Sequence, residues 1–254
     1  MSYSTAWINI LDEVRDFGKG RPVWFRGHSN LDYELHSGLF RLDFDALKGY
    51  LSAEVVLYRK FINLGHLHHD ESDWNLLYLM QHHGVITRLL DWSESFNVAL
   101  FFAFNDWKED DCACVWLLHP TSLNKFSTGK IQYRLPRESM PYENYLFKKE
   151  DCAFDSSSVA LYPVRNSSRL VAQQGVFTLQ GNSMLPLDLE HNGKLLENGN
   201  IKKIILTPDL RNDVRDYLNV SGVNHYTLYP DLDGLSKYIN RSYIKKRRAP
   251  VISN

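Results

Sequence analysis

The chain has 254 residues, of which 44% are hydrophobic and 13% aromatic, so it can bury a substantial core. Its 29 basic and 30 acidic side chains give a formal net charge of -1, which offers no global electrostatic argument for binding nucleic acid or an anionic membrane. No stretch approaches the roughly 18 apolar residues of a membrane span, no signal-peptide pattern opens the chain, and the three cysteines lack metal-ligand spacing. We therefore expect a cytoplasmic protein in a reducing compartment.

The first predicted elements are a helix, a short strand and two further helices. Apolar positions spaced by about 3.6 residues predict an amphipathic helix over Thr5–Phe17. Pro22–Ser29 is typical of a short strand that runs into a polar turn, and Leu31–Arg41 is irregular or a second short strand. Helical periodicity returns over Phe44–Asn63 and Trp74–His82.

The stretch Gln81–Phe104 is unusually dense in polar and aromatic side chains. Its first part, through Leu90, predicts a buried extended segment, because β-branched and apolar residues follow a glycine. Its second half predicts a buried helix that Ser93 or Ser95 can cap. We expect the side chains at this strand-to-helix junction to line a cleft: Arg88, Asp91 and Trp92.

The C-terminal half predicts further separated strands and helices. In chain order these are a strand over Cys114–Leu118, a weakly patterned region over Thr121–Ser158 that allows helical segments in parts, a capped turn or short helix that leads into a strand over Asn166–Leu179, a strand over Ile201–Leu206, and helices over Asp209–Asn219 and Leu235–Lys246. Composition allows disorder at Ser156–Ser158 and at the basic end Lys245–Arg248. The pattern predicts the α+β class: a single mixed domain over residues 1–254 with a small split or antiparallel sheet and flanking helices.

Several catalytic and metal-binding patterns are absent from the sequence. His66, His68 and His69 lie in a polar loop without an HExxH frame, so a structural loop is favoured over a metal site. Asp231 and Asp233 could bind a cation, but a turn before a helix explains them without one. The chain also lacks a Gly-x-Ser-x-Gly turn, a Walker loop and a carboxylate cluster for a two-metal nuclease. We expect no metal.

Four segments carry a recognisable pattern: Trp24–His28 (WFRGH), Gln81–Trp92 (QHHGVITRLLDW), Arg169–Phe177 (RLVAQQGVF) and Tyr229–Gly234 (YPDLDG). Together they make the chain resemble the FRG-domain family, named for its Phe-Arg-Gly triplet, over about residues 20–240. The resemblance implies a bacterial protein of a family whose activity is largely uncharacterised. A role in defence against phage is one expectation that follows from it.

At the level of fold, the same order of segments resembles the three-part core of ADP-ribosyltransferases. In that fold the first arginine or histidine holds the nicotinamide ribose or the phosphates, the second element supports the nicotinamide pocket, and a glutamate on the third completes catalysis. Arg26 matches the first part, Thr87 with Ser93 or Ser95 the second, and Gln173 or Gln174 the third. Because glutamine cannot stabilise a cationic centre by charge, a carboxylate would have to come from Asp91 or Glu94.

The resemblance and the junction together define a candidate site that binds NAD, as substrate, or a related nucleotide. The candidate catalytic residues are Arg26, His83, Asp91 and Gln174, and the candidate cofactor-binding residues are Arg26, Gly27, His28, His82, Thr87 and Arg88. The implied activity is NAD-dependent ADP-ribosyl transfer or NAD cleavage by a defence or toxin effector. The expected partners are a nucleotide and a protein or nucleic-acid acceptor, with no membrane partner.

Each candidate also has a structural interpretation. Arg26 could pair with Asp91 in the core, and Arg88 could bond locally to the same carboxylate. Asp91 could instead cap the following helix, and the two histidines could serve as hydrogen-bonding side chains. Since neighbours in a strand alternate, one of Gln173 and Gln174 is expected to face the cleft. A non-catalytic nucleotide-binding or protein-binding module is therefore an alternative function.

Overall fold

The computed structural model describes residues 2–132, 135, 141–149 and 152–244. The helices are α1 (Thr5–Phe17), α2 (Leu47–Gly65), α3 (Asp73–His82), α4 (Phe96–Asn105), α5 (Pro120–Thr128), α6 (Tyr142–Leu146), α7 (Ser168–Ala172), α8 (Lys194–Glu197), α9 (Arg211–Val220), α10 (His225–Leu228) and α11 (Leu232–Ile244). The strands are β1 (Trp24–His28), β2 (Leu89–Ser93), β3 (Ala113–Leu118), β4 (Val159–Leu161), β5 (Gly175–Leu179) and β6 (Ile201–Leu206). The basic end Lys245–Arg248 lies outside the described residues.

The strands form one six-stranded sheet in the order β4-β5-β2-β1-β3-β6. All five strand pairings are antiparallel. Helices flank the sheet, so the predicted α+β class with an antiparallel sheet is confirmed. Strands β1 and β2 are adjacent at the centre of the sheet, so a gap between them lies in the middle of the sheet.

The two central strands are joined much less completely than their neighbours. All five residues of β1 are in register with β3, and all five residues of β2 are in register with β5. Between β1 and β2 the register consists of the single pair Phe25 and Ser93. Beyond that pair, the C-terminal part of β1 and the N-terminal part of β2 separate, and residues of both strands line a cleft. The sheet is therefore split at its centre.

Helix α4 closes one side of this split by packing tightly against β1. A Cβ atom placed on Gly27 would lie 1.8 Å from the carbonyl oxygen of Ala99 and 2.6 Å from the backbone nitrogen of Ala103. These distances leave no room for any side chain at position 27. The glycine thus allows the backbone of α4 to approach β1 closely. The two elements pack together as one wall of the cleft.

The predicted elements agree with the structure at most positions and differ at some. Helix α1 spans the predicted residues and begins after Ser4, whose side chain accepts from the backbone nitrogen of Trp7. The extended segment lies later than predicted, because β2 begins at Leu89, so Asp91 and Trp92 belong to the strand. Helix α5 opens the region of weak pattern, for which only unspecified helical segments were expected, and strand β4 directly follows that region and was not predicted. None of the helices in the described part of the chain has the length and apolar content to cross a bilayer.

Candidate active site

A cleft of about 920 Å³ opens between the separated parts of β1 and β2. Its walls come from both strands, from α4 and α7, and from the irregular segment after β1. The polar and charged side chains that line it are Arg26, His28, Ser29, Asp32, Tyr33, Glu34, His36, Arg41, Gln81, Asp91, Ser93, Arg169 and Gln173. The cleft thus collects residues from three of the four sequence segments that carry the family pattern.

Arg26 spans the split from β1 to β2. Its Nε donates to Nε2 of His28 at 2.9 Å, and its Nη1 donates to the backbone carbonyl of Asp91 at 2.5 Å. Burial lowers the pKa of Arg26 to about 10, with the charge of Asp91 acting in the opposite direction, so the guanidinium stays protonated at neutral pH. The remaining N–H groups of this half-buried side chain are available to a ligand in the cleft.

His28 is buried and holds Arg26 in place. Its Nδ1 lies 3.1 Å from the carbonyl oxygen of Tyr33, and its Nε2 accepts from Arg26. These two bonds require a neutral ring with the proton on Nδ1. Burial, with the nearby charges of Arg26 and Arg41, lowers the pKa of His28 to about 3, in agreement with that tautomer. His28 therefore orients the arginine and stays in its neutral form near neutral pH.

Two further arginines line the cleft, and both are fixed by neutral acceptors. Arg41 donates from Nε and Nη2 to the carbonyl of His36 at 3.0 and 2.7 Å. Arg169 donates from Nη1 to the carbonyl of His82 at 3.0 Å, and its guanidinium lies 4.7 Å from the ring centre of Tyr229. Neither residue was singled out for the site by sequence reasoning, although Arg169 and Tyr229 both stand in motif segments.

The cleft arginines differ from two other arginines nearby. Arg88 is paired with Glu54, and Arg165 with Glu94. Within the described residues, Arg26, Arg41 and Arg169 form no ion pair with a carboxylate. Three preoriented guanidinium groups without a bonded anion form a natural site for phosphate or carboxylate groups of a ligand.

Asp91 is the carboxylate that reaches the cleft from β2. It is exposed, and its Oδ2 accepts from Nε2 of Gln81 at 2.8 Å. The predicted ion pair between Arg26 and the Asp91 carboxylate is replaced by a bond from Arg26 to the Asp91 backbone. Glu94, the other predicted carboxylate, is held by Arg165 and by the hydroxyl of Tyr162. Of the two, Asp91 is the one that can face a ligand.

A smaller pocket of about 180 Å³ adjoins the cleft and contains both predicted histidines. Gln81, Asp91, Arg169 and Gln173 line both spaces, so they form the shared wall. His82 and His83 lie in this second pocket with ring centres 4.9 Å apart. Burial lowers the pKa of His82, and the charge of Arg169 adds to the effect. His83 is exposed.

The structure places two of the predicted cofactor-binding residues, Arg88 and Thr87, away from the cleft surface. Arg88 is fully buried and bonds to both oxygens of Glu54 at 2.5 Å, so the proposed local bond to Asp91 is wrong. Thr87 is 2% exposed, and its hydroxyl donates to Gln81 at 2.6 Å. Gly27 lines the cleft, but the space beyond its Cα is filled by α4.

The two glutamines of the third segment take different roles from those predicted. Gln173 lines the cleft, where its Nε2 donates to the carbonyl of Leu228 at 3.1 Å and its backbone carbonyl accepts from Ser93. Gln174 is exposed, has a left-handed backbone with φ of 46°, and is absent from the lining of the cleft. The choice of Gln174 over Gln173 is therefore corrected. Both residues precede β5, so strand alternation could not separate them.

The described residues contain no group of three or more His, Cys, Asp or Glu side chains positioned to hold a metal ion. In the histidine loop, the ring of His69 stacks on Phe61, and His66 bonds to the carbonyl of Asn63. Asp231 accepts from the backbone nitrogen of Gly234 at 2.7 Å, at the start of α11. The predicted turn therefore holds for Asp231, whereas Asp233 and Gly234 lie inside α11, which begins three residues earlier than predicted.

Residues 21–112 match the family model of the FRG domain. The matched range contains β1 to β2 and thus Arg26, His28, Arg41, Gln81 and Asp91, whereas Arg169 and Gln173 lie beyond it. No match to the chain was found among curated proteins or among solved structures. By this match, residues 21–112 of the chain form an FRG domain.

Proposed function

We propose that the cleft between β1 and β2 binds an anionic nucleotide, NAD or a close relative, and that the protein transfers ADP-ribose or cleaves NAD. The observation that carries the proposal is the set of three cleft arginines, each fixed by carbonyl or imidazole groups and none bonded to a carboxylate in the described part of the chain. A diphosphate supplies the anions that such groups bind, through charge-assisted hydrogen bonds.

The size and lining of the cleft support a ligand of this kind. A volume of about 920 Å³ lies within the range of pockets that bury small ligands. Aromatic side chains of Tyr33, Phe40 and Phe102 border the space and offer faces for a nucleobase. Cations beside aromatic faces are the combination that a nucleotide, with its phosphates and its base, requires.

Asp91 is the residue we assign to the chemical step. When the bond between C1′ of the nicotinamide ribose and the ring nitrogen breaks, the electron pair leaves with nicotinamide and positive charge develops on the ribose. A carboxylate directed at that charge stabilises the transition state. Attack by water at C1′ then yields ADP-ribose and a proton. Attack by a protein or nucleic-acid group yields the ADP-ribosylated acceptor and a proton.

The same proposal extends to the role of the protein in the cell. Unregulated cleavage would deplete NAD, which is an outcome suited to a bacterial toxin or an anti-phage effector. The support for this step is the FRG domain over residues 21–112 together with the resemblance of the sequence segments to ADP-ribosyltransferases.

Incubation of the purified protein with NAD and cell extract tests the proposal. Nicotinamide release is measured by chromatography, transfer by labelled ADP-ribose, and nucleotide binding by calorimetry. We expect Arg26→Ala to weaken binding and Asp91→Asn to bind NAD but release no nicotinamide. Arg15→Gln, on the exposed face of α1, is the control. Absence of release and transfer, with binding unchanged in Arg26→Ala, would refute the proposal.

A non-catalytic nucleotide-binding module is the second candidate. It is favoured by the glutamine at the third segment, because Gln173 reaches the cleft where the transferase resemblance implies a glutamate. This candidate predicts saturable nucleotide binding that depends on Arg26, with no nicotinamide release from the wild-type protein.

A further inference from the structure

Gln81 connects Asp91 to the rest of the fold through a short chain of hydrogen bonds. The backbone nitrogen of Leu89 donates to Oγ1 of Thr87 at 3.0 Å, and the Thr87 hydroxyl donates to Oε1 of Gln81 at 2.6 Å. Nε2 of Gln81 then donates to Oδ2 of Asp91 at 2.8 Å. The direction of these bonds follows from the Asp91 end, because a carboxylate accepts and does not donate, so the Gln81 nitrogen must face Asp91 and the Gln81 oxygen accepts the Thr87 proton.

This chain fixes the orientation of the Gln81 amide. A glutamine side chain can usually rotate to exchange its oxygen and nitrogen, but here the nitrogen must face the acceptor-only carboxylate of Asp91. The oxygen is therefore directed at the Thr87 hydroxyl. Oδ2 of Asp91 is occupied, and Oδ1 is left for a ligand at the wall shared by the cleft and the smaller pocket.

The backbone between Gln81 and Thr87 is shaped to bring the two side chains together. Helix α3 ends with the backbone nitrogen of Gly84 bonded to the carbonyl of Gln81 and that of Val85 bonded to the carbonyl of Met80. Gly84 has a left-handed backbone with φ of 78°. This is the helix-ending arrangement that glycine favours. It reverses the chain so that Thr87, six residues after Gln81, returns to within bonding distance.

The position of Thr87 is fixed by burial and by a backbone hydrogen bond. It is 2% exposed, and its backbone carbonyl accepts from Leu39 at the start of the short 3₁₀ helix Leu39–Arg41. The same residue thus links the position of Asp91 to the segment that carries Arg41. A rigid second layer of this kind is what a functional carboxylate needs to hold its geometry.

We infer that Gln81 is a positioning residue, which, supported by Thr87, holds Asp91 with one carboxylate oxygen directed at the ligand. This inference rests on the proposed function, because it assigns Gln81 a role through the Asp91 step. It also gives a role to Gln81 and Gly84 of the QHHG segment and to Thr87 of TRLLDW. The sequence predicted Thr87 as a ligand contact, and it favoured the two histidines over Gln81.

The test compares Gln81→Met, Thr87→Val and Thr87→Ser in the full chain. Met and Val keep the side-chain size but remove the hydrogen bonds, whereas Ser retains the hydroxyl. We expect kcat for nicotinamide release to fall about tenfold in Gln81→Met and Thr87→Val, with the dissociation constant for NAD unchanged and with no further fall in the double variant. Thr87→Ser should stay near the wild-type rate. Gln132→Met, an exposed glutamine after α5, is the control.

Three results would contradict the inference: a wild-type kcat in Gln81→Met, an effect on NAD binding alone, or equal damage in Thr87→Ser and Thr87→Val. If the wild-type protein releases no nicotinamide, the proposed function has failed and the positioning role is decided by unfolding. In that case Gln81→Met should destabilise the protein less in an Asp91→Ala background than in the wild type. Additive effects of the two substitutions would overturn the role of Gln81.

Discussion

Arg26 donates a hydrogen bond from Nη1 to the backbone carbonyl of Asp91 at 2.5 Å, across the split in the centre of the sheet. In a continuous sheet that carbonyl would accept from a neighbouring strand. Here a charged side chain replaces the strand contact, because β1 and β2 are registered at the pair Phe25 and Ser93. The guanidinium thereby stabilises the open edge and remains exposed to the cleft.

The first prediction concerns the two arginines that sequence reasoning missed. Arg41→Gln and Arg169→Gln should each weaken NAD binding by about tenfold, since a lost charge-assisted hydrogen bond costs about 1.5 kcal/mol or more. The losses should shrink as the salt concentration rises. Calorimetric titrations at two salt concentrations measure both effects. Unchanged affinity in Arg169→Gln would remove that residue from the site, and Arg15→Gln again serves as the surface control.

The second prediction tests the contact between β1 and α4. Gly27→Ala should lower the free energy of unfolding by about 3 kcal/mol, because the new Cβ would overlap the backbone of Ala99 and Ala103. Gly18→Ala is the matched control. Its nearest neighbours would lie at 3.5 Å or more, so it should change stability little. Urea unfolding measures both, and equal stability of the two variants would disprove the tight packing.

The third prediction separates Arg88 from the cleft. Burial acts to lower the pKa of Arg88, but the charge and hydrogen bonds of Glu54 outweigh it and raise the pKa, so the buried guanidinium stays protonated. Arg88→Met should destabilise the protein by about 3 to 5 kcal/mol, because it leaves Glu54 buried without its cationic partner, although the Tyr142 hydroxyl still donates to it. The double variant Glu54→Gln/Arg88→Met should be less destabilised than Arg88→Met alone. A greater loss in the double variant, measured by urea unfolding, would contradict this account.

The fourth prediction concerns pH and His28. Its pKa in the folded protein is about 3, whereas an unfolded histidine has a pKa of about 6.5. Between these values the unfolded chain binds the proton and the folded protein does not, so stability falls as the pH falls below about 6.5. In His28→Gln, whose side-chain oxygen can still accept from Arg26, this part of the loss is absent. Between pH 7 and pH 4 the wild type should lose about 3 kcal/mol more than the variant. Parallel stability curves for the two proteins would contradict the buried neutral imidazole.

The sequence predicts much of the fold because local patterns decide it. Helix α1, strands β1, β3 and β6 and the buried helix α4 follow from apolar periodicity and from glycine at the ends. Helix α5 was missed because Pro120 indicates the end of a strand as readily as the start of a helix. Strand β4 has only three residues and therefore no period to detect.

The site is only partly predictable, because its assignments depend on distant partners. Arg26 and Asp91 could be chosen as polar residues on apolar strands. Arg88 is likewise a charged residue beside an apolar strand in the sequence. It bonds to Glu54 of α2, however, and therefore does not line the cleft. Gln81 and Arg169 lie in the motif segments, and this position was the signal in the sequence that could have identified them. Arg41 lies in an irregular segment, where no local pattern marks a functional side chain.

A crystal structure of the protein soaked with NAD tests the central claim most directly. We expect the diphosphate to lie in the split between β1 and β2, within hydrogen-bonding distance of Arg26, with the nicotinamide ribose beside Asp91. Binding of NAD at another surface, or an empty cleft in crystals of a protein that binds NAD in solution, would contradict the claim.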